Sequence, residues 1–90
     1  MADHKYLHLA IAFEGNPKTK EVQVVLDQAT DWIRYAPNCW LMWTENSPEI
    51  WSQRIRKVLT DKEQFFICEV TANREGWLYP ETWGWINKKR

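Results

Sequence analysis

Residues 31–44, DWIRYAPNCWLMWT, constrain the fold of this chain more than any other stretch. Two runs rich in aromatic and apolar residues, at 32–35 and 39–44, flank the sequence Ala-Pro-Asn. Aromatic and β-branched residues favour strands, and a short connection that contains Pro and Asn is typical of a tight turn. The stretch therefore predicts a β-hairpin, and the other elements are arranged on either side of it.

A strand and then an amphipathic helix are predicted before the hairpin. In residues 6–13, YLHLAIAF, apolar residues alternate with small or polar ones, as in a strand that has one face in the core. Asn16 followed by Pro17 predicts the start of a helix, and apolar residues at helical spacing continue to about residue 29.

A second helix, a last strand and a less regular segment follow the hairpin. Ser47 predicts the cap of the helix and Pro48 its first turn, and the apolar stripe ends near residue 60. Residues 64–71, QFFICEVT, predict the last main strand. The aromatic residues between 77 and 85 favour a docked segment with one short helical turn over a disordered tail.

This order of elements predicts an α+β fold, a ferredoxin-like βαββαβ sandwich in which two helices cover one face of a four-stranded antiparallel sheet. We expect a single domain over residues 1–90, in which 72–90 dock on their own sheet or on that of a partner and leave 88–90 loose. Because a chain of 90 residues has a small core, seven tryptophans and oligomerisation are both expected sources of stability.

Composition and motifs exclude several classes of protein. The 12 basic and 12 acidic residues balance, which argues against a dedicated nucleic-acid binder. Cys39 and Cys68 lack CxxC spacing and are expected to be buried, reduced thiols of a cytoplasmic protein. No apolar run approaches the ~20 residues that span a bilayer, so no membrane partner is expected. No phosphate loop or catalytic triad occurs, and we expect no cofactor.

Short motifs along the chain resemble those of a known family. They are Lys5-Tyr6-Leu7, Cys39-Trp40-Leu41, Ser47-Pro48-Glu49, FFICEV at 65–70, Gly76-Trp77 and Trp83-Gly84-Trp85-Ile86. In pattern and spacing they resemble the small bacterial proteins labelled SinR-like. Those proteins are similar to the small ferredoxin-like subunit of the CRISPR adaptation machinery and to VapD-type ribonucleases. The resemblance implies a homodimer whose sheets pack face to face and, in the nuclease members, a strand-one aspartate that holds a divalent metal.

That aspartate has no counterpart in this chain. Alignment on Lys5-Tyr6-Leu7 places Ile11 at its position or, after a shift of one residue, Ala10 or Ala12. Glu14 is the nearest carboxylate and hence the catalytic candidate, with Mg²⁺ as the cofactor that a nuclease would need. Since an aliphatic side chain offers no oxygen ligand, we expect the metal site and the nuclease activity to be absent.

The sheet face opposite the two helices, here called the second face, supplies the predicted interface. The prediction assumes that Leu41 and Trp43 point toward the core. An apolar second face favours self-association, although aromatic residues there also suit the stacking of single-stranded bases. The predicted interface consists of Tyr6, His8, Ala10, Trp40, Met42, Trp77, Trp83 and Trp85.

Basic residues and histidines supply two further candidate sites. Arg54, Arg56 and Lys57 are the candidates for binding nucleic acid, but acidic residues flank them, so we interpret them as a solvated helix face. His4 and His8 would lie roughly 13 Å apart along a strand, which is too far for one metal ion.

The sequence thus favours a homodimeric interaction or regulatory module that is not an enzyme. Two alternatives stay open: a metal-dependent ribonuclease or deoxyribonuclease that uses Glu14, and a single-stranded nucleic-acid-binding protein that stacks bases on Tyr6 and Trp40. A protein partner other than a second copy is also compatible with the pattern.

Overall fold

The computed structural model describes residues 3–90, and in them three helices lie against one four-stranded sheet. The elements are β1 (Lys5–Ala12), α1 (Thr19–Leu26), β2 (Asp31–Ala36), β3 (Cys39–Thr44), α2 (Pro48–Arg56), β4 (Gln64–Val70) and α3 (Pro80–Ile86). The strands are antiparallel in the order β2-β3-β1-β4. This βαββαβα arrangement is roughly ferredoxin-like, which confirms the predicted α+β class.

The hairpin of β2 and β3 turns at Pro37 and Asn38, as predicted. Asn38 has a φ of 65°, in the left-handed region that asparagine tolerates better than most residues. Its carbonyl oxygen accepts a hydrogen bond of 3.0 Å from the backbone N–H of Ile11, which ties the turn to the neighbouring strand. Local turn chemistry and a tertiary contact therefore specify the same geometry.

Helix α2 begins where its sequence predicts. The Ser47 hydroxyl accepts a hydrogen bond from the Ile50 backbone N–H at 3.4 Å, and Pro48 occupies the first turn. Helix α1 differs, because it begins at Thr19 and Lys18 stands at its cap position, so the predicted start at residues 16 and 17 is wrong. A buried carboxylate, described below, holds the chain before α1 as a loop.

Helices α1 and α2 cover one face of the sheet and enclose the hydrophobic core. Each helix buries two apolar residues, and these meet the apolar residues of the strands in a single cluster. The cluster consists of Leu7, Leu9, Ile11, Val22, Leu26, Trp40, Met42, Trp51 and Ile55.

The expectation that Trp40 and Met42 lie on the second face is wrong, since both are fully buried in this core. In the pairing of β1 with β3, Trp40 lies opposite the core residue Leu9. Side chains alternate along a strand, so Leu41 and Trp43 project to the second face instead. Every residue of 39–43 is apolar or aromatic, so the sequence offered no polar residue to mark the outward side.

Residues 72–90, here called the C-terminal segment, dock on the chain's own second face. Helix α3 contacts β2, and its Thr82 and Ile86 are each 4% exposed. The expected loose end is wrong for Arg90, whose guanidinium pairs with the Asp31 carboxylate at 3.2 Å. The second face is thus partly covered by a third helix, and the uncovered part is smaller than the sequence suggests.

Candidate functional site on the second face

The C-terminal segment crosses the second face and divides it into three zones. At one end the segment closes over aromatic side chains of the sheet. In the middle it covers a cavity. At the other end, near the turn between β2 and β3, the segment lies only beside β2, and the sheet at β1 and β4 stays uncovered. Each zone is a candidate site with its own chemistry.

The middle zone holds a cavity of about 260 Å³. This volume lies below the roughly 300–1,000 Å³ of most ligand pockets. The sheet contributes His8, Tyr35, Leu41, Cys68 and Val70, and the C-terminal segment contributes Arg74, Glu75, Gly76, Leu78, Trp83 and Ile86. The lining is mostly apolar, so the cavity offers few polar groups that could orient a substrate.

His8 and Tyr35 form the polar pair of the cavity, and a β-bulge brings them together. The pairing of β2 with β3 shifts by one residue between Arg34 and Ala36, which makes Tyr35 the extra residue. A bulge re-aims the side chain it carries, and here the Tyr35 hydroxyl shares a hydrogen bond with Nε2 of His8. Nothing in the alternation of the sequence marks this bulge.

Burial keeps the His8–Tyr35 pair uncharged. It lowers the pKa of His8, and burial together with the neighbouring Cys39 thiol raises the pKa of Tyr35. Both shifts favour the neutral forms near pH 7, since charged groups are disfavoured away from water. The pair therefore acts as a hydrogen-bonded contact between two strands.

At the covered end of the second face, three aromatic rings surround Arg90. The Arg90 Cζ atom lies 4.9 Å from the ring centroid of Trp85, 5.2 Å from that of Trp43 and 5.8 Å from that of Tyr6. Its Nε donates to the Tyr6 hydroxyl at 3.0 Å and its Nη2 to the Asp31 carboxylate at 3.2 Å. Tyr6, Asp31, Trp43 and Trp85 are called the aromatic cage below.

At the uncovered end, a row of small residues crosses the sheet. Ala36 of β2 pairs with Cys39 of β3, and Cys39 pairs with Ala10 of β1. Ala10 in turn pairs with Phe66 of β4, whose side chain is 66% exposed. The row forms a shallow floor that has a solvent-exposed aromatic ring at one edge of the sheet.

Two more aromatic residues stand at the other edge of this floor. Trp77 is 100% exposed and Tyr79 is 76% exposed, and both line a surface hollow together with Tyr35 and Ala36. A contiguous apolar patch on the surface of a monomer is often a contact surface, and these rings adjoin the apolar floor. The open patch is defined as Ala10, Ala36, Cys39, Phe66, Trp77 and Tyr79.

The residues predicted to form the interface fall into three groups. The first group, Tyr6, His8, Trp83 and Trp85, lies in the aromatic cage or around the cavity. The second, Ala10 and Trp77, belongs to the open patch. The third, Trp40 and Met42, is in the core. The structure therefore leaves only part of the predicted surface available to a partner.

Glu14, the catalytic candidate, is exposed. Its backbone N–H makes a polar contact with the carboxylate of another residue. That N–H donates at 3.2 Å to the carboxylate of Glu63, whose side chain is 1% exposed. The Lys18 ammonium donates to Glu63 at 2.6 Å and the Thr60 backbone N–H at 2.9 Å. These bonds lower the pKa of Glu63 to about 2. The sequence gives no sign of this role, because Glu63 ends the polar run Asp-Lys-Glu of an ordinary turn.

Two other carboxylates, Glu69 and Glu75, do not lie beside Glu14. Glu69 pairs with Leu7 near the opposite end of β1, and Glu75 lines the cavity. Within residues 3–90, no three His, Cys, Asp or Glu side chains are grouped so that they could hold a metal ion. The carboxylates that a nuclease would need are therefore spread over separate parts of the fold.

The basic candidates lie at the end of α2, in the helix layer on the side of the sheet opposite the second face. Arg54 stacks on the core residue Trp51, with its Cζ atom 4.8 Å from the ring centroid. Arg56 pairs with Asp61 at 3.4 Å on the surface, and Lys57 is exposed. These three cations belong to the helix layer and not to the aromatic face, so they do not line the rings on which bases would stack.

The histidines and cysteines also occupy separate positions. His4 stacks on Trp43 at 4.9 Å, while His8 contacts Tyr35, so the two imidazoles have different partners. Cys39 and Cys68 are free, half-buried thiols, and the intervening strand β1 separates their strands. None of the helices described is long and apolar enough to cross a membrane.

Comparison of the chain with known protein families, with curated proteins and with solved structures finds no match. The resemblance to the SinR-like proteins therefore stays a prediction. The geometry of the second face is the basis for a functional argument.

Proposed function

We propose that this protein is a non-enzymatic interaction module that self-associates through the open patch. The observation that supports the proposal is the complete exposure of Trp77 beside a floor of small residues on the same chain. Burying an aromatic side chain removes roughly 150–250 Å² from water, which is a large favourable contribution for so small a surface.

A second copy of the chain is the partner that best fits this patch. A two-fold interface requires that one surface carry both the projecting and the receiving part, because the same residues meet on both sides. The open patch has both parts. Trp77 projects, and the side chains in the row of Ala10, Cys39 and Ala36 are small enough to leave room for a ring. The formal net charge of zero gives two copies no overall repulsion to overcome.

The geometry of the proposed dimer differs from the one that the family resemblance implies. Two sheets packed fully face to face would compete with α3, which already contacts β2 and covers the cavity. Contact through the open patch leaves the C-terminal segment in place. It uses two of the residues named from the sequence, Ala10 and Trp77, and adds Ala36, Cys39, Phe66 and Tyr79.

The alternative functions lack a comparable supporting observation. A nuclease that uses Glu14 would need further oxygen ligands beside it, and the nearest carboxylate, Glu63, is already bound to Lys18. Base stacking on Tyr6 would have to displace Trp85 and Arg90 from its ring. Self-association through the open patch requires neither further oxygen ligands at Glu14 nor displacement of Trp85 and Arg90.

Sedimentation velocity from micromolar to millimolar concentration tests the proposal. The wild-type chain should pass from monomer to dimer, and Trp77→Ala should weaken the dimer by about thirtyfold or more, as expected for a tryptophan worth about 2 kcal/mol or more in an interface. Val24→Ala is the matched control, because Val24 is 64% exposed on α1 and lies outside the patch.

A monomer throughout the concentration range would contradict the proposal. So would a dimer that Trp77→Ala and Val24→Ala leave equally stable, since the contact would then lie elsewhere on the molecule.

A further inference from the structure

The residues of the aromatic cage contact one another and the strand backbone, in addition to the arginine that fills the cage. The Trp85 indole N–H donates to Asp31 Oδ2 at 2.9 Å, and the Trp32 backbone N–H donates to Asp31 Oδ1 at 2.9 Å. The Tyr6 ring packs on Trp43 at 4.6 Å and edge-on against Trp85 at 5.5 Å. Both the carboxylate and the rings therefore have orienting contacts that do not involve Arg90.

Strand register fixes most of the cage. Asp31 of β2 pairs with Trp43 of β3, and Trp43 pairs with Tyr6 of β1, so three of its four members are direct neighbours across the sheet. The fourth, Trp85, is held by α3, whose neighbouring residue Ile86 is 4% exposed. A site whose groups are set by packed elements is preorganised, and a ligand need not order it.

The chemistry of the cage selects a guanidinium group. Three ring faces within 6 Å of one cation provide cation–π attraction, and the Asp31 carboxylate adds an opposite charge. Two N–H donors of Arg90 meet oxygen acceptors, Tyr6 Oη and Asp31 Oδ2. A planar guanidinium can serve both acceptors while it stacks, whereas a quaternary ammonium has no N–H to donate.

We propose that the aromatic cage is a binding site for an arginine side chain of a peptide, and that Arg90 fills it as an internal competitor. Arg90 itself reaches the cage from a peptide backbone, and its side chain is 15% exposed there. Asp31 keeps 37% of its side chain exposed, so the site opens to the surface. When Arg90 leaves, an arginine of another chain takes the same bonds.

This site is separate from the proposed dimer surface. Tyr6 and Ala10 lie four residues apart on β1, or roughly 13 Å along the strand. A failure of self-association would therefore leave the cage proposal untouched, and the reverse also holds.

The test uses the full chain with Arg90→Ala and N-acetyl-arginine amide as the probe. Indole N–H resonances of Trp43 and Trp85 are followed by nuclear magnetic resonance. Arg90→Ala should bind the probe saturably, and the wild type should bind it at least about tenfold more weakly, because its own arginine occupies the site. Lys89→Ala, which removes a neighbouring exposed cation, should behave as the wild type does.

Two further probes identify the ligand. Tetramethylammonium, with the same charge and no N–H donor, should bind Arg90→Ala more weakly than the arginine amide does. Free arginine should also bind more weakly, since its charged α-carboxylate and α-ammonium groups, which a peptide linkage lacks, favour water over the cage. Equal binding of free arginine would overturn the assignment to a peptide and point to a small guanidinium compound.

A second variant tests the role of Asp31. Asp31→Asn in the Arg90→Ala background keeps the shape of the cage but removes its charge, and it should reduce the affinity by about tenfold. The proposal is overturned if Arg90→Ala shows no saturable shift at Trp43 and Trp85, or if it binds no better than the wild type. It is also overturned if Arg90→Ala loses its near-ultraviolet circular dichroism, because Arg90 would then be a structural part of the cage.

Discussion

Glu63 shows how a single buried carboxylate can control a connection between elements. Its oxygens accept from the Lys18 ammonium and from the backbone N–H groups of Thr60 and Glu14. The loop after β1 and the turn before β4 are thereby joined through one side chain. The bonds are made to the ionised carboxylate, which is why the pKa of Glu63 falls to about 2.

We expect Glu63 to make the stability of the fold depend on acid pH. Its folded pKa of about 2 lies below the ordinary 4.5, so its contribution is fully present above about pH 4.5 and is lost as the pH falls toward 2. Thermal unfolding from pH 6 to pH 2 should show a steeper loss of Tm in the wild type than in Glu63→Gln.

The exposed residue Glu69 provides the control for this prediction. Glu69→Gln should keep the wild-type pH profile, because that carboxylate lies in solvent on the edge strand β4. Parallel profiles for the wild type and Glu63→Gln would show that the Glu63 contacts do not contribute to stability.

Thr44 makes the polar contact on which a buried tryptophan depends. Its hydroxyl oxygen accepts from the Trp51 indole N–H at 3.0 Å and from the Asn46 backbone N–H at 3.1 Å. Thr44→Val preserves the shape but removes the acceptor, so it should lower the free energy of unfolding by about 1–3 kcal/mol. Urea denaturation measures this change.

Thr44→Ser, which keeps the hydroxyl, is the matched comparison for Thr44→Val. It should lower the free energy of unfolding by less, since only a methyl group is lost. The reverse order would show that packing of the methyl group outweighs the hydrogen bond.

At the scale of elements, local signals in the sequence account for most of the fold. The turn at Pro37 and Asn38 and the cap at Ser47 are chemical signals within a few residues, and both are confirmed. The predicted start of α1 is wrong because a distant side chain, Glu63, holds the preceding loop. Sequence spacing contains no information about such a contact.

The sheet faces show a second limit of sequence patterns. Alternation assigns the faces of β1 correctly, because Leu7 and Leu9 alternate with His8 and Ala10. In β3 both alternating sets are apolar, so the pattern has two solutions, and the wrong one places Trp40 outside. The correct solution depends on which ring fits beneath α1 and α2.

Helix α3 should be the least stable element of the fold. It has seven residues and contacts mainly β2, so its stability depends on a few buried side chains. Ile86→Ala should detach it, and hydrogen exchange of the Asn87 amide, which donates to Trp83 O at 3.0 Å, should then approach that of an unfolded chain.

A comparison with the strands provides the control for this prediction. Amides of β1 should keep their protection in Ile86→Ala, because the core of α1 and α2 is unchanged. Ile50→Ala, at a residue that is 39% exposed on α2, should leave α3 protected. Equal loss of protection in β1 and α3 would show that the whole molecule unfolds as one unit.

At the scale of the molecule, the C-terminal segment determines which surfaces remain available. The sequence predicted that it docks, but the choice between its own sheet and a partner's stayed open. The intramolecular contact of Trp85 with Asp31 resolves that choice in the described structure. The candidate sites follow from it, because the segment adds Trp85 to the aromatic cage, covers the cavity and carries the exposed Trp77.

The sites were harder to predict than the fold for a physical reason. The cage joins Tyr6, Asp31, Trp43 and Trp85 from four different elements, and the Tyr35 contact depends on a bulge. Such groupings arise from register and docking and not from any local pattern. Aromatic enrichment in the sequence indicated that contacts exist, without showing which rings would meet.

The contrast between buried and exposed indoles also gives this protein an intrinsic fluorescent probe. Trp77 is 100% exposed, whereas Trp40 and Trp51 are 0% exposed. An aqueous quencher such as iodide should quench the red-shifted fluorescence of Trp77 first and leave the blue-shifted fluorescence of the buried Trp40 and Trp51. Shielding of that red component would report a partner on the open patch without any dye, while the blue component reports whether the fold is intact.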